Sequence, residues 1–197
     1  PLNNFEKNKF KDLFINRYPE FDLMFEEAAQ ETGIEKNLLA AISFQESQWD
    51  PRAQSNMGVR GMMMVTLETA ALVGVEKRLN PEQNIKGGAK YFAMLKEKNI
   101  VGETEADQLS TVLASYNLGP TNINKIASQI NSDVQTVSWT EIREKLKVIK
   151  GSELNLVDRE SYSRGQQAID YVDRVKSYYQ LLSAHSCIAP KDQLIFF

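Results

Sequence analysis

The chain has 197 residues, 42% of them hydrophobic, which is enough for one well-packed domain and too little for two full-sized ones, so a single core is expected. A charged fraction of 25% and a formal net charge of -3 leave no basic footprint for nucleic acid. No apolar run approaches the roughly 18 residues of a spanning helix. Pro1-Leu2-Asn3-Asn4 has no signal-peptide character, so the chain reads as cytoplasmic or as a processed piece of an exported protein.

The first element is a short amphipathic helix over 4–16, with Phe5, Phe10, Leu13 and Phe14 at three- and four-residue spacings. Tyr18-Pro19-Glu20 opens a second helix with proline in its first turn, and Gly33 is its natural C-cap. A third helix, about 35–47, carries Leu38, Leu39, Ala40, Ala41, Ile42 and Phe44 and is apolar nearly all round, which predicts burial. Pro51 is expected to stop it, and Gly58 and Gly61 mark 55–61 as loop. The only place where a short β-hairpin could form is 52–66.

Helical character resumes over 67–73 and ends at Gly74. Asn80-Pro81-Glu82-Gln83 supplies an N-cap and an N1 proline for a helix running to about Lys98. Further helices are expected over 104–116, halted at Gly119-Pro120, then over 121–130, then after the capping box Ser138-Trp139-Thr140-Glu141 to about Ile149. A last helix over 163–183 faces inward with Ala168, Tyr171, Val172, Val175, Tyr178, Tyr179 and Leu182. The architecture is all-α or mostly α, with a domain over 1–184 and a non-helical tail over 185–197. The tail holds the lone histidine, His185, and the lone cysteine, Cys187, which exclude an internal disulfide and offer no metal cluster.

One carboxylate stands out. Glu46 lies four residues after Ile42 and seven after Leu39, on their apolar stripe at the end of the third helix. Desolvation and the partial negative charge of a helix C-terminus both push such a carboxyl upward toward the working range of a general acid. Spacing alone leaves a solvated glutamate, or a partner for Arg52 or Arg60, as the commoner reading. Asp50 is better explained as a turn initiator in its Asp-Pro pair. Met62-Met63-Met64 is a priori core filler.

The order Glu46-Ser47-x-Trp49-Asp50-Pro51-x-Ala53-x-Ser55-x-x-Gly58-x-x-Gly61-Met62-Met63 is followed by Thr69-Ala70, then Ala114-Ser115-Tyr116-Asn117-Leu118-Gly119-Pro120, then Tyr171-Val172. These separated motifs resemble the Slt-type lytic transglycosylases, which share a fold with goose-type lysozymes. Within them the chain is most similar to the membrane-bound F group, through Gly61 to Met64 and Tyr162-Ser163-Arg164-Gly165.

The resemblance implies a lysozyme-like helical domain with a substrate cleft, cutting peptidoglycan glycan strands between N-acetylmuramic acid and N-acetylglucosamine. Glu46 would protonate the leaving oxygen and then, as carboxylate, take the proton of the muramyl C6 hydroxyl, which closes on C1 as a 1,6-anhydro end. Ordinary glycosidases use two carboxylates; here the sugar would stand in for the second. Ser47, Ser55, Gly61, Met64, Tyr116, Asn117, Tyr162, Gln167 and Tyr171 would contact substrate or shape its site.

Against this, Ser55 could simply cap its loop, and Tyr116 and Tyr171 could be packed core aromatics. Where many relatives read Gly-Leu-Met-Gln, Met64 replaces the glutamine, and Gln167 stands where a glutamate is frequent. The resemblance implies no cofactor, no metal and no nucleic acid. It further implies a monomer in the periplasm, tied to the outer membrane only through an N-terminal anchor of a longer protein. A lysozyme-like hydrolase and a non-catalytic glycan-binding module remain the alternatives.

Overall fold

The computed structural model describes residues 2–154 and 163–188. Helices dominate them: α1 (Asn4–Asn16), α2 (Asp22–Thr32), α3 (Lys36–Ser47), α4 (Leu67–Val73), α5 (Pro81–Lys98), α6 (Glu105–Leu118), α7 (Pro120–Ile130), α8 (Trp139–Val148) and α9 (Ser163–Ile188). The chain is mostly α, as its periodicity predicts. Among the described residues, extended pairing is limited to isolated antiparallel bridges, Gln54 with Arg60 and Arg60 with Val65, so the 52–66 hairpin is reduced to single contacts.

Helix boundaries follow local chemistry. Asn3 and Glu6 form a reciprocal capping box at the start of α1, Thr104 and Asp107 another at α6, and Ser138 and Glu141 a third at α8. Asn80 accepts from Gln83 N at 2.9 Å before α5. Gly33 and Gly74 close α2 and α4 at φ 71° and 77°. Helix α3 ends at Ser47 as expected, although a left-handed Gln48 closes it before Pro51 is reached. Two details differ from the sequence reading. Tyr18–Glu20 is a separate 3-10 turn before α2. Helix α9 runs past Ser183 to Ile188, so His185, Ser186 and Cys187 are helical; the rest of the expected tail lies outside the described residues.

The described residues divide into two compact units, one of 2–91 with 174–188 and one of 92–154 with 163–173. The first is built on α3, whose residues Leu38 to Phe44 are all buried. Around Trp49, which is 0% exposed, gather Phe10, Tyr18 and Phe44 at ring separations of 5.6, 4.7 and 4.8 Å. Tyr178 closes the cluster, 5.3 Å from Phe10 and 4.6 Å from Phe44. Aromatic pairs at these separations add dispersion and quadrupole attraction to simple burial. Phe5, expected inside, is 75% exposed. It sits five residues before Phe10 and so about 140° around α1 from it.

The second unit packs α6, α7 and α8 through Val112, Leu113, Ile123, Ile126, Ile142 and Leu146, all buried. Asp107 accepts from Trp139 N at 2.8 Å and so ties the start of α8 to α6. Gly165 lets α9 approach α8, since a Cβ there would lie 2.0 Å from the Leu146 carbonyl oxygen.

Candidate active site

Glu46 occupies the last turn of α3 and is half-buried. A buried helix delivers it, and the chain then reverses sharply. Gln48 and Trp49 both take left-handed backbone, φ 53° and 58°. For a bulky residue such a conformation costs of order 1 to 3 kcal/mol and persists only where the surroundings enforce it. Here Arg17 donates to Gln48 O at 3.0 Å and the Trp49 indole donates to Ala40 O at 2.9 Å, pinning both residues to the core. Asp50 then accepts from Arg52 N at 2.9 Å, which makes it the turn-former its Asp-Pro sequence predicts.

The loop that returns along α3 is held at its centre by Met62. The Ser43 and Ser47 hydroxyls both donate to Met62 O at 2.8 Å, and Ser47 Oγ also lies 3.0 Å from Ser43 O. The Ser47 proton is therefore directed at backbone carbonyls. Gly61, buried at φ 84°, donates to Ala53 O at 2.8 Å. A Cβ there would fall 2.4 Å from both Arg78 O and Asn84 Nδ2, so Gly61 has a structural reason to be glycine.

Met62 and Met63 are 0% exposed, as core filler should be, whereas Met64 is half-buried with φ 48°. Ser55 turns its own loop: its amide donates to Val59 O at 3.1 Å and its hydroxyl accepts from Met57 N at 3.2 Å. That hydroxyl keeps its proton for another acceptor.

In the second unit, Tyr116 and Asn117 lie in the last turn of α6 and are half-buried. The Tyr116 ring sits 6.2 Å from Phe92, tilted at 51°. The Asn117 side-chain oxygen is buried and accepts no hydrogen bond among the described residues, and its backbone carbonyl accepts from Arg164 Nη2 at 3.2 Å. Gln167 is exposed on α9, its Oε1 accepting from Arg164 Nη1 at 2.9 Å. Arg164 thus joins Asn117 to Gln167. Tyr171 is 4% exposed, which favours packing over contact with a ligand. Tyr162 lies outside the described residues.

Within the first unit the structure links Ser47, Gly61 and Met64 around Met62 beside the turn that bears Glu46. Within the second it links Asn117 and Gln167. Sequence reasoning passed over Ser43, Arg78 and Asn84 and gave Arg164 only as part of a motif, yet these residues hold the groups in place. Asn84 had a signal: it is a polar residue among Ile85, Ala89 and Phe92 on the inner side of α5, all 0% exposed as it is itself. Such a residue must find partners. Among the described residues no group of three or more His, Cys, Asp or Glu could hold a metal ion, and no helix is long and apolar enough to cross a membrane.

The family model described as the transglycosylase SLT domain matches residues 23–136. The chain is 41% identical over 176 residues to a protein named membrane-bound lytic murein transglycosylase F 1 of Alkalilimnicola ehrlichii, covering 88% of this chain and 35% of that one. It is 40% identical over 172 residues to membrane-bound lytic murein transglycosylase F of Maricaulis maris, covering 86% and 37%. It thus spans little more than a third of these relatives.

Among solved structures, an inactive mutant of lytic transglycosylase Slt from Pseudomonas aeruginosa superposes with a TM-score of 0.59 at 19% identity, over 89% of this chain and 28% of that one. A 70-kDa soluble lytic transglycosylase in complex with bulgecin A gives 0.58 at 18%, over 90% and 26%. These neighbours share the fold.

Proposed function

The chain belongs to the transglycosylase SLT domain family, and from that premise we propose that it is the catalytic region of a lytic transglycosylase that cleaves the MurNAc-GlcNAc β-1,4 bond of peptidoglycan. The observation that carries this reading is the placement of Glu46. A carboxyl stands half-buried at the C-terminal end of a buried helix, followed at once by a strained reversal that two hydrogen bonds hold. Asp50, the nearest acid in sequence, is committed to its own turn. A single acid, with Asp50 engaged in its turn, suits a reaction in which the substrate supplies its own nucleophile.

Glu46 delivers its proton to the glycosidic oxygen, and the C1–O bond breaks with that oxygen leaving as the C4 hydroxyl of N-acetylglucosamine. The resulting carboxylate accepts the proton of the muramyl C6 hydroxyl, and O6 bonds to C1. The acid is regenerated and no water is consumed. Ser55, with its hydroxyl proton available, serves the acetamido region of the sugar, and Tyr116, Asn117 and Gln167 supply further polar contacts. Met64 offers a thioether where a carboxamide would donate, so that stretch of the site recognises sugar by packing more than by hydrogen bonding. The relatives are named membrane-bound and lytic for murein, which supports membrane attachment and action on the cell wall; we place that action in the periplasm at the outer membrane.

Product analysis decides the reading. Digestion of purified peptidoglycan yields muropeptides ending in 1,6-anhydro sugars, lighter by one water than the reducing ends of hydrolysis. Glu46→Gln keeps the shape and removes the proton, with an expected loss of about 1,000-fold or more in rate, since removing an essential acid forfeits at least the usual general-acid contribution. Soluble product from Glu46→Gln at the wild-type rate sinks the assignment, and reducing ends from the wild type replace transglycosylation by hydrolysis.

A further inference from the structure

The side chain of Asn84 is fully buried, and each of its polar groups meets a backbone partner of matching kind. Its Oδ1 accepts from Met63 N at 2.7 Å, and its Nδ2 donates to Arg60 O at 2.8 Å and to Arg78 O at 2.7 Å. One N–H and two carbonyls fix the orientation of the amide, because only a carboxamide turned this way satisfies all three. One residue therefore grips both sides of the loop turn at 61–63 and anchors it to the connection between α4 and α5. Between the two gripped positions lies Met62, whose carbonyl receives the Ser43 and Ser47 hydroxyls of α3. From Asn84 the chain of hydrogen bonds thus runs through one short stretch of loop to the residue next to Glu46.

Two glycines make room for this arrangement. At Gly61 a Cβ would collide with the Asn84 amide at 2.4 Å. At Gly88, one turn beyond Asn84 on the same face of α5, a Cβ would lie 2.4 Å from the Met63 Cβ. Helix α5 therefore presents an amide for the Met63 backbone and, one turn on, a gap for its side chain.

We propose that Asn84 is a positioning residue: it sets the Arg60–Met64 loop against the end of α3 and thereby fixes Glu46 and Met64 in the geometry that protonation of the glycosidic oxygen needs. The proposal rests on the reading of Glu46 as the acid. A merely structural Asn84 would lower stability and leave the folded enzyme as fast as before. A positioning Asn84 loosens the loop and slows the chemical step in molecules that remain folded.

The test compares wild type, Asn84→Ala and Asn84→Asp under conditions where circular dichroism shows each folded. It reads amide hydrogen exchange by mass spectrometry alongside kcat and KM on soluble uncrosslinked glycan strands. Loss of three buried hydrogen bonds is expected to speed exchange across residues 60–65 by about a hundredfold, with Leu38 to Phe44 unchanged. A misplaced acid is expected to lower kcat by about a hundredfold while KM moves by no more than about threefold.

A kcat within about threefold of wild type in the folded variant, or exchange that rises equally throughout the unit, overturns the proposal. If Asn84→Ala does not fold, Asn84→Asp answers, since it keeps the volume and the acceptor for Met63 while removing both donors; its expected result is the same in direction. Should wild type itself release no anhydro product, the function proposed above fails on that ground alone. The exchange arm then judges the clamp: unchanged protection of 60–65 in the variants overturns it, and selective loss upholds it.

Discussion

Two glycines of one loop have similar backbone angles and different surroundings. Gly58 lies at φ 77° with open space where a Cβ would go, and Gly61 at φ 84° faces Arg78 O and Asn84 at 2.4 Å. Gly58→Ala should therefore cost only the left-handed backbone penalty, about 1 kcal/mol. Gly61→Ala adds overpacking of about 1 to 3 kcal/mol to the same penalty. Urea unfolding of the two variants separates these terms, and equal midpoints would refute the account of Gly61. Both glycines were legible as loop residues. Which of them is crowded was not, because the crowding comes from Arg78 and Asn84, 17 and 23 positions further on. Met64 shows the same limit: its place after Gly61 is visible in the sequence, but its left-handed φ of 48° is not.

Among elements, those whose ends are chosen by neighbouring residues were read well. Asn80-Pro81, Ser138 with Glu141, and Gly33 and Gly74 all act where the sequence places them, because caps operate over three or four residues. Ends set by tertiary partners were missed. The last turn of α9 continues because His185 packs edge-on against Phe14 at 4.8 Å and Ser186 accepts from Asn37 at 3.2 Å, contacts with no periodic signature.

The capping box of α8 yields a prediction of its own. Ser138 accepts from Glu141 N at 3.3 Å, and its amide and hydroxyl donate to the Glu141 carboxylate at 2.9 and 2.8 Å. Those hydrogen bonds hold the Glu141 carboxyl below its ordinary 4.5. Ser138→Ala should cost about 1 kcal/mol near neutral pH. Because the folded value is depressed, the pairing of the Glu141 carboxylate favours the fold above pH 4.5 and fades as pH falls through the folded value. The Ser138 amide, the larger cause, survives the substitution and only the hydroxyl's share is lost. Chemical unfolding of wild type and variant across that range should show their difference shrinking in part toward acid, and a constant difference would remove the bond from hydroxyl to carboxylate from the explanation.

At the scale of the whole molecule, what binds the first unit is an aromatic cluster drawn from α1, the turn after it, α3 and α9, so residues 10 and 178 lie 5.3 Å apart, ring to ring. Its existence follows from the richness of the ends of the chain in Phe and Tyr, and its partners only from the fold. The cluster carries buried phenols, and these set an alkaline limit. Burial first, and then the charge of Asp22, push the Tyr18 phenol well above its ordinary 10.0; burial and then Glu6 push Tyr178 upward. A phenol whose folded value lies above its unfolded one favours the fold fully below pH 10.0 and loses that advantage as pH rises past it, since the unfolded chain then releases the proton and the folded one does not. Tyr18→Phe deletes the titrating group and keeps the ring that stacks on Phe14 at 5.2 Å and on Phe25 at 5.8 Å. Its stability at pH 7 should stay within about 1 kcal/mol of wild type, the worth of one hydrogen bond to Asp22. Above pH 10.0 the variant should become the more stable of the two, a crossing that urea midpoints measured from pH 7 to 11 would reveal. Parallel curves over that range would mean that Tyr18 ionises as readily in the fold as out of it.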